Sequence, residues 1–320
     1  MGAPAAPGKG ARTVTHRILL SFVLLLLAPA SAQAAACCVG STSNFGGRLG
    51  PCEWAGGGVG LSGEAAFGHW SRAGSFKLMR ADRSETARLT LGGMVRFDRV
   101  AQMAVTVPFL LQHRRIAGVD DLGGGPGDTV VTFRFEPMPE RYGATAPPSV
   151  TFQLATSIPT GIPTEAVDGT ARATGSGYLT LLPRVGLQRA FLKGSLAVEL
   201  EVGFSLPRPG DEQVVLPGAP WMAMASASWF VNRKVTLGVS SGLRGLTPGF
   251  VGGRSVGPGS VSPWIALGPA FQIGPGRLTL GVSTGVPLPG LGSNEEARLG
   301  VSVGYTLVSR RPLSPRSPGS

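Results

Sequence analysis

The sequence predicts an all-β chain: a transmembrane antiparallel up-and-down β-barrel of about twelve strands, following a cleaved signal peptide. Three observations lead there. Apolar and polar residues alternate with period two, most such runs reach ten residues, and their connections alternate between tight turns and long loops. Period-two alternation gives a strand one apolar and one polar face. Runs of ten exceed the ~5–6 residues typical of soluble strands and match the ~9–11 needed to cross a bilayer at a tilt. Short turns at one end and long loops at the other are the plan of outer-membrane barrels.

In chain order, Lys9, Arg12 and Arg17 precede an apolar stretch over 18–28, then Pro29 and the small-residue run Ala32-Gln33-Ala34. A charged region, a short apolar core and an A-x-A site read as a secretory signal peptide over residues 1–34. The apolar core is shorter than the ~20 residues of a membrane helix. Gly, Pro or a charge interrupts every later apolar run. Residues 35–56 follow as a Cys-containing N-terminal periplasmic segment. It holds Cys37, Cys38 and Cys52. Cys52 could close a disulfide with Cys38, or with Cys37, and one thiol is left over. Adjacent cysteines without a nearby His give no ligand spacing, so neither metal nor cofactor is expected.

The barrel is expected over 57–308, with strands beginning near Gly57, Glu85, Ala101, Gly127, Ser149, Ser176, Gly194, Pro220, Lys234, Ser260, Gly276 and Glu296. Residues 88–112 show the pattern. Leu89, Leu91 and Val95, then Met103, Val105, Val107, Phe109 and Leu111, are apolar, with Arg88, Thr90, Arg96, Gln102, Thr106 and Gln112 between them. Tight connections fall at 98–99, 189–193, 231–233 and 274–276, and long ones at 113–126, 161–175, 207–219 and 245–259. The connection at 137–148 is of medium length where a tight one is expected. The 49 glycines and 27 prolines suit turns and small strand positions rather than helices. A basic, Pro-rich tail over 309–320 ends the chain.

Charges sort to one face of these strands. Glu64, Arg88, Arg96, Asp128, Arg134, Arg184, Glu199, Glu201, Arg244 and Arg298 occupy the less apolar side and are the candidate lumen-lining residues. The other side carries Val59, Leu61, Phe133, Leu237, Val239, Val301 and Val303. A mid-strand charge there would cost ~2–4 kcal/mol in lipid, and the sequence places none. Trp221 and Trp229 lie on the apolar face eight residues apart. Along a tilted strand that is ~20 Å, as two membrane-interface aromatic girdles require. A secreted soluble β-sandwich also alternates. Its outer face, however, should carry more Lys and Glu than the Gly, Ser, Thr and Ala found here.

The formal net charge is +11. It falls to +8 without Lys9, Arg12 and Arg17, and Arg310, Arg311 and Arg316 of the tail supply three more positive charges. The remainder is dispersed, so nucleic acid is not an expected partner. The partners expected are outer-membrane lipid, the barrel-assembly machinery and a small-molecule solute. No catalytic constellation is expected either. His69 beside Trp70 reads as an interfacial residue, and His113 with Arg114 and Arg115 as a solvated basic cluster. The glycine run at 123–127 lacks the Lys-Ser/Thr of a phosphate loop.

Three stretches carry a family resemblance: GGGPGDTVVTFRFE (123–136), PSVTFQLATSIPTG (148–161) and GSGYLTLLPRVGLQRAF (175–191). A Gly-Asp strand start, a strand ending in Pro-Thr-Gly and a Gly-Ser-Gly strand start follow in this order. That order resembles the outer-membrane β-barrel family of phenol-degradation meta-pathway (MetA-like) proteins. The resemblance covers the middle third of the chain. It implies a barrel admitting small hydrophobic or aromatic molecules. One departure is the end of the chain, where Tyr305 and Leu307 are followed by the basic tail rather than by a final aromatic residue. The function expected is a passive channel or transporter in the outer membrane of a Gram-negative bacterium, not an enzyme. A non-conducting structural or surface-binding barrel and the secreted sandwich are the alternatives.

Overall fold

The computed structural model describes residues 48–49, 53–70, 75–79, 82–116, 118–138, 147–163, 170–207, 215–256, 259–288 and 296–310. Twelve strands build the barrel: β1 (Glu53–Trp70), β2 (Arg83–Arg96), β3 (Ala101–Ile116), β4 (Thr129–Met138), β5 (Ser149–Ile158), β6 (Thr180–Phe191), β7 (Gly194–Val202), β8 (Pro220–Phe230), β9 (Val235–Leu246), β10 (Ser260–Ile273), β11 (Gly276–Gly285) and β12 (Glu296–Arg310). Each pairs antiparallel with its neighbours in sequence, and β12 pairs back onto β1 from Glu53↔Arg310 to His69↔Glu296. Closure leaves no edge strand with unpaired backbone groups.

The expected strand starts agree with these to within a few residues, and three differences have local causes. β1 begins at Glu53 rather than Gly57, because β12 runs on to Arg310 and keeps pairing with it. The fourth strand is broken at Gly127–Asp128. Its outer part, Val119–Pro126, pairs with the outer half of β3, and β4 then pairs with the inner half. β6 starts at Thr180 rather than Ser176, because Ser176 is held in a turn by Asp128. At the short-turn end, Gly274 adopts a left-handed φ of 57° between β10 and β11, a conformation glycine reaches without steric cost.

The outward side chains form an uninterrupted apolar band. Leu61, Leu91, Phe133, Phe152, Leu187, Leu200, Leu237, Leu267 and Val301 are all exposed, Val301 by 59%. Left in water, such a band would forfeit roughly 25 cal/mol for every Å² of apolar surface. It far exceeds the largest apolar patch of an ordinary soluble monomer. Lipid is its natural solvent. Trp221 and Trp229 lie on this face at the two ends of β8, and Trp229 is 57% exposed. The charged groups on this side, among them Arg83, Glu85, His113, Arg115, Asp120 and Arg189, sit near strand ends, where the band gives way to water. No helix among the described residues is long and apolar enough to cross a membrane; the strands do so instead.

Candidate functional site: the barrel lumen

Pairing register aligns the inward residues of neighbouring strands into rows. One row runs Arg96, Gln102, Arg134, Gln153, Arg184, Glu201, Met222 and Arg244, from β2 to β9. Arg96 is the last residue of β2, at the short-turn end, whereas Arg244 lies near the long-loop end of β9. The row therefore climbs the wall as a spiral, which is the stagger that strand tilt imposes on a closed barrel. The next row holds Thr151, Gly186, Glu199, Met224, Gly242, Trp264, Gly285 and Arg298.

The lowest part of this wall closes around Glu136, whose side chain is 1% exposed. Arg48 Nε lies 2.8 Å from its Oε1, and Arg134 Nε lies 3.2 Å from the same oxygen. Gln102 Nε2 donates to it at 3.1 Å. Arg48 also donates through Nη1 to Gln188 Oε1 at 3.4 Å. The adjacent Leu49 amide donates to Gln102 Oε1 at 2.9 Å, and Arg96 donates to the Leu49 carbonyl. Arg48 and Leu49 are thus inside the barrel, both buried, and fill its short-turn end. The sequence alone assigns them to the N-terminal segment over 35–56, outside the barrel. Inside it, Arg48 gives the buried Glu136 carboxylate a second cation beside Arg134, which helps offset its desolvation. Beside this cluster, Arg277 reaches Glu53 at 3.9 Å.

Higher on the wall, Arg184 bridges two acids: Nη2 to Glu201 Oε2 at 2.5 Å and Nη1 to Glu199 Oε2 at 3.0 Å. Arg298 pairs with Glu296 at 2.7 Å and approaches Glu64 at 3.7 Å. Arg88 and Arg244 face the lumen, exposed, with no hydrogen bond or ion pair among the described residues. The structure thus brings Arg184, Glu199 and Glu201 together, and Arg298 with Glu64, while leaving Arg88 and Arg244 single. Arg134 meets Arg48 on Glu136, while Arg96 donates to the neighbouring Leu49 carbonyl. Glu136 was missed in the sequence, although it shares inward parity with Arg134; Glu53 and Arg277 were missed likewise. For Arg48 the sequence offers no signal.

Asp128, expected on the lumen wall, does something else. Its carboxylate accepts from the Gly161 amide at 3.1 Å and from the Ser176 amide and hydroxyl at 2.7 and 2.8 Å. Thr160 Oγ1 donates to the Gly127 carbonyl at 2.8 Å, and the Thr129 amide donates to Thr160 Oγ1 at 2.9 Å. Thr174 Oγ1 accepts from the Ile162 amide at 3.0 Å and donates to the Pro126 carbonyl at 2.5 Å. Gly161 and Gly175 touch backbone to backbone: a Cβ on either would lie under 3 Å from the other. The Gly-Asp, Pro-Thr-Gly and Gly-Ser-Gly stretches therefore meet in one clasp. The clasp folds the loop between β5 and β6 onto the inner side of the Val119–Pro126 extension. There Gln112 donates to the Ala173 carbonyl at 2.8 Å, and Asp121 accepts from the Ala171 amide at 2.9 Å.

His113 stands between Asp120 at 3.3 Å and Glu85 at 3.7 Å, a mixed-charge cluster rather than a purely basic one. Cys37, Cys38 and Cys52 lie outside the described residues, as do 1–34 and 311–320. Among the described residues no group of three or more His, Cys, Asp or Glu could hold a metal ion.

A closed twelve-stranded barrel, apolar outside and lined with ionisable groups inside, defines the class: an outer-membrane-type β-barrel. The chain is similar in structure to an outer-membrane channel from Pseudomonas putida F1, with a TM-score of 0.64 and 10% identity, covering 85% of this chain and 100% of that one. It is less similar to the translocator domain of the autotransporter NalP from Neisseria meningitidis (TM-score 0.49, 12% identity, 79% of this chain and 88% of that one). The NanC porin follows (TM-score 0.45, 8% identity, 78% and 98%). At such identities the likeness is one of fold. No family model matches the sequence, and no curated protein matches it.

Proposed function

We propose that this protein is a passive channel of the Gram-negative outer membrane for a small solute. The observation carrying the reading is the contrast between the two sides of the wall. An apolar exterior encloses an interior that keeps exposed, unpaired guanidinium groups in its outer half. A barrel built only for bracing would neutralise such groups, since uncompensated charge between low-dielectric walls is unfavourable unless water or a solute reaches it. The passage is narrow, held at one end by Arg48 and Leu49 and at the other by the clasped loop. The resemblance in the middle third of the chain suggests a hydrophobic or aromatic solute, and the lining adds polar contacts along its path.

The even strand count puts both ends of the barrel on one side, here the periplasm, with the long loops outside. The test is fractionation of expressing cells with a heat-modifiability gel, followed by planar-bilayer recording of the purified protein. Recovery from the outer membrane as a folded species that migrates differently before boiling, with discrete conductance steps, is the expected result. Recovery from the medium or periplasm would overturn the reading in favour of a sandwich. Outer-membrane recovery with neither conductance nor solute uptake would favour a structural barrel.

A further inference from the structure

The charged residues of the lumen divide into two populations. Around the short-turn end and the middle, guanidiniums are matched: Arg48 and Arg134 at Glu136, and Arg184 at Glu199 and Glu201. At the long-loop end some guanidiniums stand apart from the acids. Arg88 on β2, Arg114 on β3 and Arg244 on β9 point inward and have no hydrogen bond or ion pair among the described residues. The carboxylates described there are already engaged: Glu64 and Glu296 with Arg298, Asp121 with the Ala171 amide, and Asp128 in the clasp. The outer vestibule therefore balances four guanidiniums against four carboxylates overall, but leaves Arg88 and Arg244 without an ion-pair partner, fixed on rigid strands.

We infer that this vestibule binds small organic carboxylates, with Arg88 and Arg244 as the two anion-contacting residues. The inference rests on the channel reading and names its solute class. A guanidinium presents a rigid planar fork that matches a carboxylate with two parallel hydrogen bonds. Each of these arginines also has an apolar neighbour directly opposite it on the adjoining strand. Leu110 faces Arg88, and Met222 faces Arg244. Such pairs stand about 4.5–5.5 Å apart at Cβ. A ligand held by the fork would thus lay an apolar body on Leu110 or Met222, which inorganic anions cannot use. Arg88 and Arg244 lie five strands apart by the shorter way round, so they reach in from nearly opposite walls. Twelve strands spaced ~4.8 Å and tilted ~40° give a barrel roughly 24 Å across between backbones. Two extended arms then leave a gap on the order of 10 Å, enough for one small organic anion.

The experiment uses the full-length purified protein with benzoate as the probe, and phosphate as comparator. Arg88→Gln/Arg244→Gln removes the charges, and Arg88→Lys/Arg244→Lys keeps charge but loses the fork. In bilayers the wild type should be blocked by benzoate at lower concentration than by phosphate. The Gln pair should shift ion preference toward potassium and need at least tenfold more benzoate. The Lys pair should keep the wild-type ion preference and lose most of the benzoate block. Equilibrium dialysis of benzoate against folded protein in detergent decides the matter independently of conductance. Equal benzoate binding by wild type and the Gln pair would overturn the inference, as would phosphate binding as tight as benzoate. Benzoate binding without conductance would sink the channel reading while leaving the carboxylate site standing.

Discussion

Consider Glu136→Gln. The substitution keeps the shape of the side chain and removes its charge, leaving Arg48 and Arg134 without the carboxylate that lies 2.8 and 3.2 Å from them. Both Arg48 and Glu136 are nearly inaccessible, at 5% and 1% of their side-chain surface, so solvent screening does little to soften the loss. Removing one partner of a buried ion pair costs about 3–5 kcal/mol. Part of that is recovered if Arg48 withdraws toward water, which Arg134, fixed on β4, cannot do. Taking about 3 kcal/mol as the net bias against the inserted position of residues 48–49, the ratio of withdrawn to inserted forms rises by roughly two orders of magnitude, at 1.4 kcal/mol per tenfold. Single-channel recording should show a larger open fraction and higher unit conductance. Arg48→Ala should do the same alone and add little to Glu136→Gln, because the two changes remove one interaction. Wild-type conductance in both variants, with folded barrels by heat modifiability, would show that Arg48 and Leu49 do not obstruct the passage.

Further outcomes follow from the same geometry. Val301→Arg or Val239→Arg places a guanidinium in the lipid-facing band and should impair assembly by ~2–4 kcal/mol, read as loss of the heat-modifiable species, whereas Ser302→Arg, one residue along, points into the lumen and should assemble. Equal damage on both faces would contradict a membrane barrel. Asp128→Ala strips the clasp of an acceptor of three hydrogen bonds and should loosen the loop between β5 and β6 by about 1–3 kcal/mol. Limited trypsin cleavage at Arg172 should then speed up, and an unchanged rate would mean the clasp does not hold that loop. A tag inserted at Asn232, in the tight turn before β9, should stay unlabelled in intact cells; surface labelling there would invert the proposed topology.

Much of the fold was legible in the sequence because strand identity and facing are local properties. Leu89, Leu91, Met103 and Val105 declare the outer face through their own alternation with Thr90 and Gln102, whatever strand lies alongside. The number of strands, their approximate starts and the outward facing of Trp221 and Trp229 followed from that pattern and from the turn chemistry between runs. Parity likewise put Arg96, Arg134, Arg184, Arg244 and Arg298 on the lumen side.

Which inward residues meet was decided only in the folded molecule. Arg184 finds Glu201 through the tight turn between β6 and β7, but Glu136 finds Arg48 across 88 positions of sequence, and Asp128 finds Ser176 across 48. Those encounters depend on register and strand tilt, which set the stagger of a closed barrel and turn a row of pairings into a climbing spiral. A one-residue slip would send every one of these side chains to the other face. Alternation in a single strand fixes facing but carries no information about height, so it could not tell the paired arginines near the short turns from the unpaired ones in the outer vestibule. Closure of the barrel supplied that height.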